Sequence, residues 1–518
     1  MTDSVPHSPA VGSSGALPGP DAVLGAAATR SSRFAFSGSL RARAARGTLI
    51  NGAFSVGIGL LNLLKAFILA AFLSRSDYGV WGIIVVSLST LVWLKQAGVG
   101  DKFIQQDEGD QELAFQQAFT LELILTLGCV ALIGAALPLL VLIYGLPQLV
   151  LPSVVIALAL IVSVFQAPQW IYLRRMQFAR QRALAAVDPV VGFVVSVGLA
   201  ILGAGYWAFV GGMLAGVCAA SAAAWQSSPY RVRWRYDRRA LRGYWSFSLP
   251  LVAASGAGFV ISWSAVLAAK LELGVAAVGV IALADNIASL TERVDDLLTG
   301  ALYPAICAVR DRRDLMYESL VKSNRLALIW AVPFGIAITL FCGDLVRFGI
   351  GERWRPAVIV MQVYGAAAAV NHIGFNWTAY FRALGRTRPI AVAAVAASAT
   401  FLVAGIPLLV AFGLEGFAFG IALQGLAALI LRAGYLQRLF PGFGFIRHAA
   451  RSFLPTIPAA AAVLAVRALE PTPRTLGYAL GELSLYLIIT ALSTWALESA
   501  LLREALAHLR RPAVATVS

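Results

Sequence analysis

The sequence is poor in charged residues, in cysteine and in enzyme motifs, and each scarcity excludes a class of protein. Charged residues make up 13% of the 518 residues and hydrophobic residues 59%, with a mean hydropathy of +0.78, which excludes a soluble domain. The four cysteines lie in or beside apolar stretches without paired or metal-like spacing, so we expect neither a redox role nor a metal site. No P-loop, HExxH helix or nucleophile elbow occurs in the chain.

Long hydrophilic loops are also scarce. Membrane glycosyltransferases and polymerases need a sizeable outer loop to hold an acidic catalytic site and the acceptor. Here the longest predicted outer loop lies around 343–354, and the first covers only 74–77. We therefore predict that the chain is not an enzyme and binds no cofactor.

Apolar runs that are long enough to cross a bilayer, which takes about 20 residues, recur along the whole chain. They predict an all-α, polytopic membrane protein with about fourteen transmembrane helices. The predicted spans are 48–73, 78–99, 113–143, 148–173, 185–204, 206–226, 244–270, 275–305, 322–345, 355–381, 388–411, 415–437, 450–468 and 475–499.

The formal net charge of +15 is distributed in short basic clusters between the apolar runs. With the N-terminus inside, the predicted inner loops hold most of the arginines and the outer loops hold few, which is the positive-inside pattern. The loop from Asp101 to Glu112 is acidic, but acidic residues contribute little to this rule. Both termini are therefore predicted to be cytoplasmic.

An internal repeat with an offset of 200 residues is weakly visible. SRSDYGVWGI at 74–83 and GVAAVGVIAL at 274–283 each open an even-numbered span after a very short outer loop, which aligns Gly79 with Gly279. Two six-helix lobes related by this repeat commonly hold a binding site between them. The predicted organisation is a disordered cytoplasmic tail at 1–46, an N-terminal lobe at 47–226, a basic cytoplasmic linker at 227–243, a C-terminal lobe at 244–440, two additional helices at 441–500 and a cytoplasmic tail at 501–518.

Span 8 carries a row of charges that is unusual for a membrane helix. Intramembrane charges cost roughly 3 kcal/mol each on insertion scales, so the row must face protein or a watery cavity. We predict that the row couples an ion or gates the cavity. Asp285, Glu292 and Asp296 fall on one narrow face of the helix, and Asp295 completes the group predicted to couple or gate.

Spans 1, 2, 7 and 8 are predicted to line a central cavity. Lys65 and Asp285 lie at similar depth, and Lys95 aligns with Asp295 at the repeat offset. In one interpretation Lys95 pairs with the acidic cluster of span 8 when the inner side closes; in the other, the ion pairs are static and lie within each lobe. The polar residues His372, Asn376 and Tyr380 of span 10 are interpreted mainly as helix–helix hydrogen bonds.

Four stretches carry a likeness to a known family. They are LSRSDYGVWGIIVVSLSTLVWLKQAGVGDKFIQQ at 73–106, ALYPAICAVRDRRD at 301–314, VPFGIAITLFCGDLVRFGIGERW at 332–354 and FRALGRTRP at 381–389. In order and spacing, from about residue 40 to 440, the chain resembles the Wzx-type oligosaccharide flippases of polysaccharide biosynthesis, in the multidrug/oligosaccharidyl-lipid/polysaccharide exporter superfamily.

This resemblance implies a fold of two six-helix lobes in a V shape and a multi-pass protein of the bacterial inner membrane. It implies export of undecaprenyl-diphosphate-linked oligosaccharide to the periplasmic leaflet, with membrane lipids, a polymerase and export machinery as partners and no nucleic acid. The diphosphate needs cations, and the glycan needs polar groups. The expected substrate-binding residues are Lys65, Lys95, Arg293, Asn51 and Asn62.

Two related functions remain as alternatives. A cation-coupled drug or metabolite antiporter of the same superfamily needs buried carboxylates in the N-terminal lobe, where the spans offer mainly Glu122 and Asp188. A flippase of lipid-linked peptidoglycan precursors shares the same fold and the same physical requirements. A scaffold without transport activity has no positive sign in the sequence.

Overall fold

In a computed structural model, the chain folds almost entirely into α-helices, as the apolar runs predict. The structure describes residues 40–95, 99–105, 109–236, 256–469 and 474–510, and within these ranges it contains no β-strand. Side chains are described from residue 51 onward, except at 53, 90–95, 101, 105, 256–259, 287–294, 296–298, 300, 301, 304, 305, 308 and 505–510.

The described helices follow one another with short connections. In the first half they are α1 (Leu40–Phe72), α2 (Arg75–Lys95), α3 (Val99–Gln105), α4 (Gln111–Tyr144), α5 (Val150–Ser163), α6 (Pro168–Arg174), α7 (Phe178–Ile201) and α8 (Trp207–Gln226). In the second half they are α9 (Gly256–Leu273), α10 (Val275–Ala308), α11 (Arg313–Asp344), α12 (Ala357–Asn371), α13 (Trp377–Ala383), α14 (Arg388–Thr400), α15 (Ile406–Leu439), α16 (Phe445–Phe453), α17 (Ile457–Leu469) and α18 (Leu476–Arg510).

The described parts of the predicted spans lie mostly on helical segments, with a non-helical break at 372–376 inside span 10. Among the described residues, eight segments are long and apolar enough to cross a membrane, or nine if the bent pair α16–α17 is one span. One of the eight covers 388–439 and contains Gly413 in a non-helical conformation (φ 63°, ψ −137°), at the break predicted between spans 11 and 12. The number fourteen stays a prediction.

The predicted tails are partly helical. Helix α1 begins at Leu40, inside the stretch predicted as a disordered tail, and α18 continues to Arg510. The predicted start of span 7, the N-terminal tail before Leu40 and residues 237–243 of the basic linker lie outside the described residues.

Helix α4 is too long for a single hydrocarbon slab. Its 34 residues extend about 51 Å at 1.5 Å per residue, against a slab of about 30 Å. Asp110 caps its first turn, since Oδ1 accepts hydrogen bonds from the backbone N–H groups of Glu112 (3.1 Å) and Leu113 (3.0 Å). The first turns carry a small core of their own, in which Phe115 and Phe119 pack with α3, α6 and residues 230–232. We therefore expect this end to project from the membrane as a packed extension.

Helices α2 and α10 pack backbone to backbone, at the ends predicted to be outer. A side-chain carbon at Gly79 would lie 1.9 Å from the carbonyl oxygen of Val275, and one at Gly279 would lie 1.9 Å from that of Arg75. Adding 200 to positions 75 and 79 gives positions 275 and 279, so the two contacts are equivalent in the repeat. The contact supports the alignment of Gly79 with Gly279, and the largest buried core of the described residues surrounds it.

Helices α17 and α18 are attached to α11 by buried ion pairs. Arg474 lies 2.6 Å from Asp344 and 2.7 Å from Glu482, and Arg467 lies 2.8 Å from Glu482. At the other end of α18, Arg325 pairs with the buried Glu498, and Lys322 forms a more exposed pair with Glu504.

Candidate functional site

A cavity of about 450 Å³ lies between α2 and four helices of the second half, α9, α10, α12 and α15. Much of its wall is aliphatic, but aromatic and polar side chains also reach it. Such a mixture of apolar wall and a few placed polar groups is typical of ligand sites. The aromatic and polar lining residues are Trp81, Ser262, Asp285, Asn286, Tyr364, Asn371, His372, Phe417 and Gln424.

A hydrogen bond within one helix and a close contact between two helices position the amides of this cavity. The side chain of Asn286 donates to the carbonyl of Ala282 one turn earlier, at 2.8 Å. Asn371 packs against Gly425: a side-chain carbon added at position 425 would lie 2.7 Å from Nδ2 of Asn371. Asp285 is exposed to the cavity. A ligand in this cavity therefore meets a carboxylate and amides that offer both donors and acceptors.

An acid–imidazole pair lies beside the cavity. Nε2 of His372 is 2.9 Å from Oδ2 of Asp295, and Nδ1 of the same ring faces the carbonyl oxygen of Ala368. Since both ring nitrogens face acceptors, the pair requires a proton, either as imidazolium with carboxylate or as imidazole with carboxylic acid. Asp295 also interacts electrostatically with Arg432. The net charge of this group therefore changes by one unit when the pair loses its proton.

The backbone of span 10 breaks next to this pair. Helix α12 ends at Asn371, and Gly374 adopts φ 72° before α13 begins at Trp377. Beyond the break, Asn376 donates to the hydroxyl of Ser323 at 2.8 Å. Tyr380 likewise donates to the hydroxyl of Ser319 at 3.0 Å. These two residues make the expected helix–helix hydrogen bonds, whereas His372 faces the cavity.

The predicted residues of the first half lie elsewhere. Asn51 accepts a hydrogen bond from Nε of Arg182 at 2.7 Å, and Lys65 interacts electrostatically with Asp188 of α7. Asn62 is half-buried in α1. In the part of the chain that the structure describes, Asn51, Lys65 and Asn62 do not line the 450 Å³ cavity.

Four other predicted residues cannot be compared with the cavity. Their backbone belongs to the helices α2 and α10, but their side chains lie outside the described residues. They are Lys95, Glu292, Arg293 and Asp296.

Sequence reasoning missed Trp81, Asn371 and Gln424 as cavity residues. Asn371 and Gln424 are isolated polar residues in apolar runs, a signal that was available for each of them. Trp81 lies two residues after Gly79 in the repeated segment. The pairing of Asp295 with His372 left no sequence signal, because the two residues are far apart in the chain.

The comparisons with known proteins concern both sequence and fold. Among curated proteins, the succinoglycan biosynthesis transport protein ExoT of Rhizobium meliloti (strain 1021) is 22% identical over 334 residues. That match covers 63% of this chain and 66% of the relative, slightly less than two thirds of its length.

Two solved structures share the fold. The lipid II flippase MurJ in an inward closed conformation matches with a TM-score of 0.66 and 11% identity, over 87% of this chain and 99% of that one. A multidrug resistance MATE family transporter of the MOP superfamily, in an inward-facing conformation, matches with a TM-score of 0.59 and 16% identity, over 76% and 98%.

The family comparison covers more than half of the chain. The family described as polysaccharide biosynthesis protein matches residues 68–359, which include both helices of the α2–α10 contact. On this match, the chain is a multi-pass membrane protein that belongs to the polysaccharide biosynthesis protein family.

Proposed function

We propose that the protein moves undecaprenyl-diphosphate-linked oligosaccharide units from the cytoplasmic to the periplasmic leaflet of the bacterial inner membrane by alternating access. The units would supply exopolysaccharide, capsule or O-antigen synthesis, with the polymerase and export machinery as partners. The observation that carries this proposal is the 450 Å³ cavity, lined with amides, a carboxylate and aromatic rings, inside a protein of this family.

The chemistry of a glycan explains why such a cavity is needed. An unpaired hydroxyl costs roughly 2–7 kcal/mol in an apolar environment, so the head group cannot cross hydrocarbon unaided. Asn286, Asn371 and Gln424 offer donors and acceptors to sugar hydroxyls, and Trp81 and Tyr364 offer aromatic faces. The prenyl chain can stay in the lipid while the glycan passes through the protein.

The diphosphate requires cations along the same path. We keep Lys65, Lys95 and Arg293 as the proposed cations, because ionised donors make the strongest hydrogen bonds to phosphate oxygens. The membrane potential assists export of an anion by about 2.3 kcal/mol per charge per 100 mV.

Ion coupling is proposed for the acidic face of α10. The pair of Asp295 and His372 can take up or release a proton beside the cavity, and Asp285 lines the cavity itself. Glu292 and Asp296 complete the proposed group. A proton bound on one side and released on the other would drive the change of state.

The experiment that tests this function is deletion of the gene in its host. We expect loss of cell-surface polysaccharide together with lipid-linked oligosaccharide trapped on the inner leaflet. The wild-type gene should restore export, and Gln424→Ala should restore less. Gln437→Ala is the matched control, since Gln437 is exposed on the same helix, α15.

Two outcomes would overturn the proposal. Normal polysaccharide with altered resistance to cationic drugs would identify a drug antiporter. Accumulated peptidoglycan precursor with cell lysis would identify a flippase of those precursors instead.

A further inference from the structure

We propose that a second polar cavity is a loading site that binds one sugar ring of the lipid-linked substrate before the glycan reaches the central cavity. This inference rests on the proposed function. The loading cavity has a volume of about 210 Å³ and lies in the first half of the chain. Its polar and aromatic lining consists of Glu122, Ser163, Gln166, Gln169, Trp170 and Gln181.

The lining has the chemistry that recognises a sugar. Amide and carboxylate groups provide donors and acceptors that match vicinal hydroxyls, and an indole provides an apolar face for the C–H side of a pyranose ring. The amides of Gln169 and Gln166 are 3.5 Å apart, at the limit of a hydrogen bond, so both remain available to a ligand.

One acceptor in this cavity is unsatisfied by the protein. Oε1 of Gln181 is buried and has no hydrogen-bond partner among the described residues. A buried polar atom without a partner costs about 1–3 kcal/mol, and few such atoms persist in native proteins. A rotation of the Gln181 amide towards the cavity that this residue lines would let a bound sugar hydroxyl donate to this oxygen.

Helix α3 packs closely against the indole of Trp170, which lines the loading cavity. A side-chain carbon at Gly100 would lie 2.8 Å from Nε1 of Trp170, and the ring of Phe103 lies 6.5 Å from the indole. Because residue 100 is glycine, α3 can pack directly against the indole ring, which lies at the edge of the cavity.

The depth of the loading cavity matches the position of a lipid head group. Glu122 precedes Tyr144, the last residue of α4, by 22 residues, or about 33 Å. Gln181 precedes Ile201, the last residue of α7, by 20 residues, or about 30 Å. Both distances are close to the hydrocarbon thickness of about 30 Å. If the two helices end at the outer surface, as the charge pattern predicts, the cavity lies at the inner interface.

Two arginines are sequence neighbours of a residue that lines the loading cavity. Arg180 and Arg182 flank Gln181 in sequence. The guanidinium of Arg180 lies over the ring of Tyr172, at 4.6 Å from its centre, and Arg182 binds Asn51. Guanidinium groups at the inner interface suit the diphosphate that carries the glycan.

The test measures protection of a cysteine in the loading cavity. Leu173, which lines the cavity, is replaced by Cys in full-length protein whose four native cysteines are changed to Ser. Labelling of Leu173→Cys by N-ethylmaleimide is then followed in inside-out vesicles, with and without methyl glucoside, methyl galactoside or methyl mannoside. We expect at least one hexoside to slow labelling severalfold.

Matched variants identify the residues responsible. Protection should be lost when Gln181→Ala or Trp170→Ala is added, and kept with Gln177→Ala or Trp234→Ala, since Gln177 and Trp234 are exposed outside the cavity. Thermal unfolding of each variant shows whether it is folded.

The result that overturns the loading site is labelling that no hexoside slows, or protection that survives both cavity substitutions. This failure is distinct from failure of the proposed function. If deletion of the gene abolishes export but no hexoside protects the cysteine, the loading site alone is wrong. If deletion leaves the polysaccharide unchanged, the proposed function is wrong.

Discussion

Trp354 and Arg353 of the GERW element bind the end of helix α1. Trp354 is fully buried, and its Nε1 donates to the carbonyl of Ala70 at 2.7 Å; Arg353 donates to the same carbonyl at 2.9 Å and also to that of Ala71. The last carbonyls of a helix lack partners within the helix and attract positive charge. The element therefore joins the α11–α12 connection to the first half of the chain.

Removing one of these donors tests the connection. In Trp354→Phe, the carbonyl of Ala70 loses one of its two side-chain hydrogen bonds, keeping that from Arg353, and the buried site loses ring volume. We expect destabilisation of about 1–3 kcal/mol, measured as a lower unfolding temperature of the purified protein. Trp330→Phe is the control, because Trp330 is 44% exposed. An equal shift in both variants would contradict the role given to the buried donor.

The proton held between Asp295 and His372 gives a second prediction for single residues. Asp295→Asn keeps the shape of the side chain but removes its charge, so the pair no longer exchanges a proton in the same way. We expect severalfold slower flipping in reconstituted vesicles and a loss of its dependence on a pH gradient. Asp311→Asn, at an exposed loop position, should behave as wild type. A pH response that survives Asp295→Asn would exclude this pair from coupling.

At the scale of elements, the α2–α10 contact depends on small residues at equivalent places. Gly82 and Ala282 form a second close contact in addition to that of Gly79 and Gly279. A side-chain carbon at Gly82 would lie 3.1 Å from Cβ of Ala282, and these two positions are also equivalent in the 200-residue repeat. Small residues let membrane helices approach closely enough for backbone contact. The contact joins the two halves of the repeat, so any opening of the protein at this end has to separate α2 from α10.

A larger residue in this contact should force the helices apart. In Gly279→Ala the new methyl group would lie 1.9 Å from the carbonyl oxygen of Arg75, too close without a backbone shift. We expect destabilisation of about 1–3 kcal/mol, seen as a lower unfolding temperature and weaker export. Gly57→Ala is the control, since nothing lies within 4 Å of a side-chain carbon there. Equal unfolding temperatures for both variants would contradict the tight contact.

The helices could be predicted from the sequence, whereas the site could be predicted only in part. Long apolar runs and the spacing of Gly79 and Gly279 depend on local sequence, so the helices and the repeat alignment were predictable. The acidic face of α10 was also visible, and Asp285 does line the cavity. The contact of Asp295 with His372 depends on how α10 and α12 pack, and on the helix break at Gly374. Neither feature follows from periodicity, so the second half's share of the cavity was underestimated.

At the scale of the whole molecule, ion pairs hold the last helix, α18, to α11 near both of its ends and hold α17 to α11 at one end. The hydrogen bonds that Arg474 donates to the carboxylates of Asp344 and Glu482 raise its pKa, so its guanidinium stays charged at any physiological pH. Arg467 also donates to the carbonyl of Leu340 at 3.1 Å. Because α11 carries partners at both of its ends, we expect α17 and α18 to move with α11 as one body during transport.

Neutralising Glu482, which lies at the centre of the cluster formed with Asp344, Arg467 and Arg474, tests this rigid attachment. Glu482 is almost fully buried between Arg467 and Arg474, and Glu482→Gln leaves the two guanidinium groups with only Asp344 as a charged partner. Breaking a buried ion pair costs about 3–5 kcal/mol, so we expect a markedly lower unfolding temperature and faster proteolysis between α17 and α18. Glu352→Gln is the control, because its pair with Arg355 is exposed at 3.9 Å and exposed pairs contribute about 0–1 kcal/mol. If Glu482→Gln unfolds at the wild-type temperature, the ion pairs of Glu482 do not hold the two helices, and their attachment must come from the remaining pairs and from apolar packing around Tyr486.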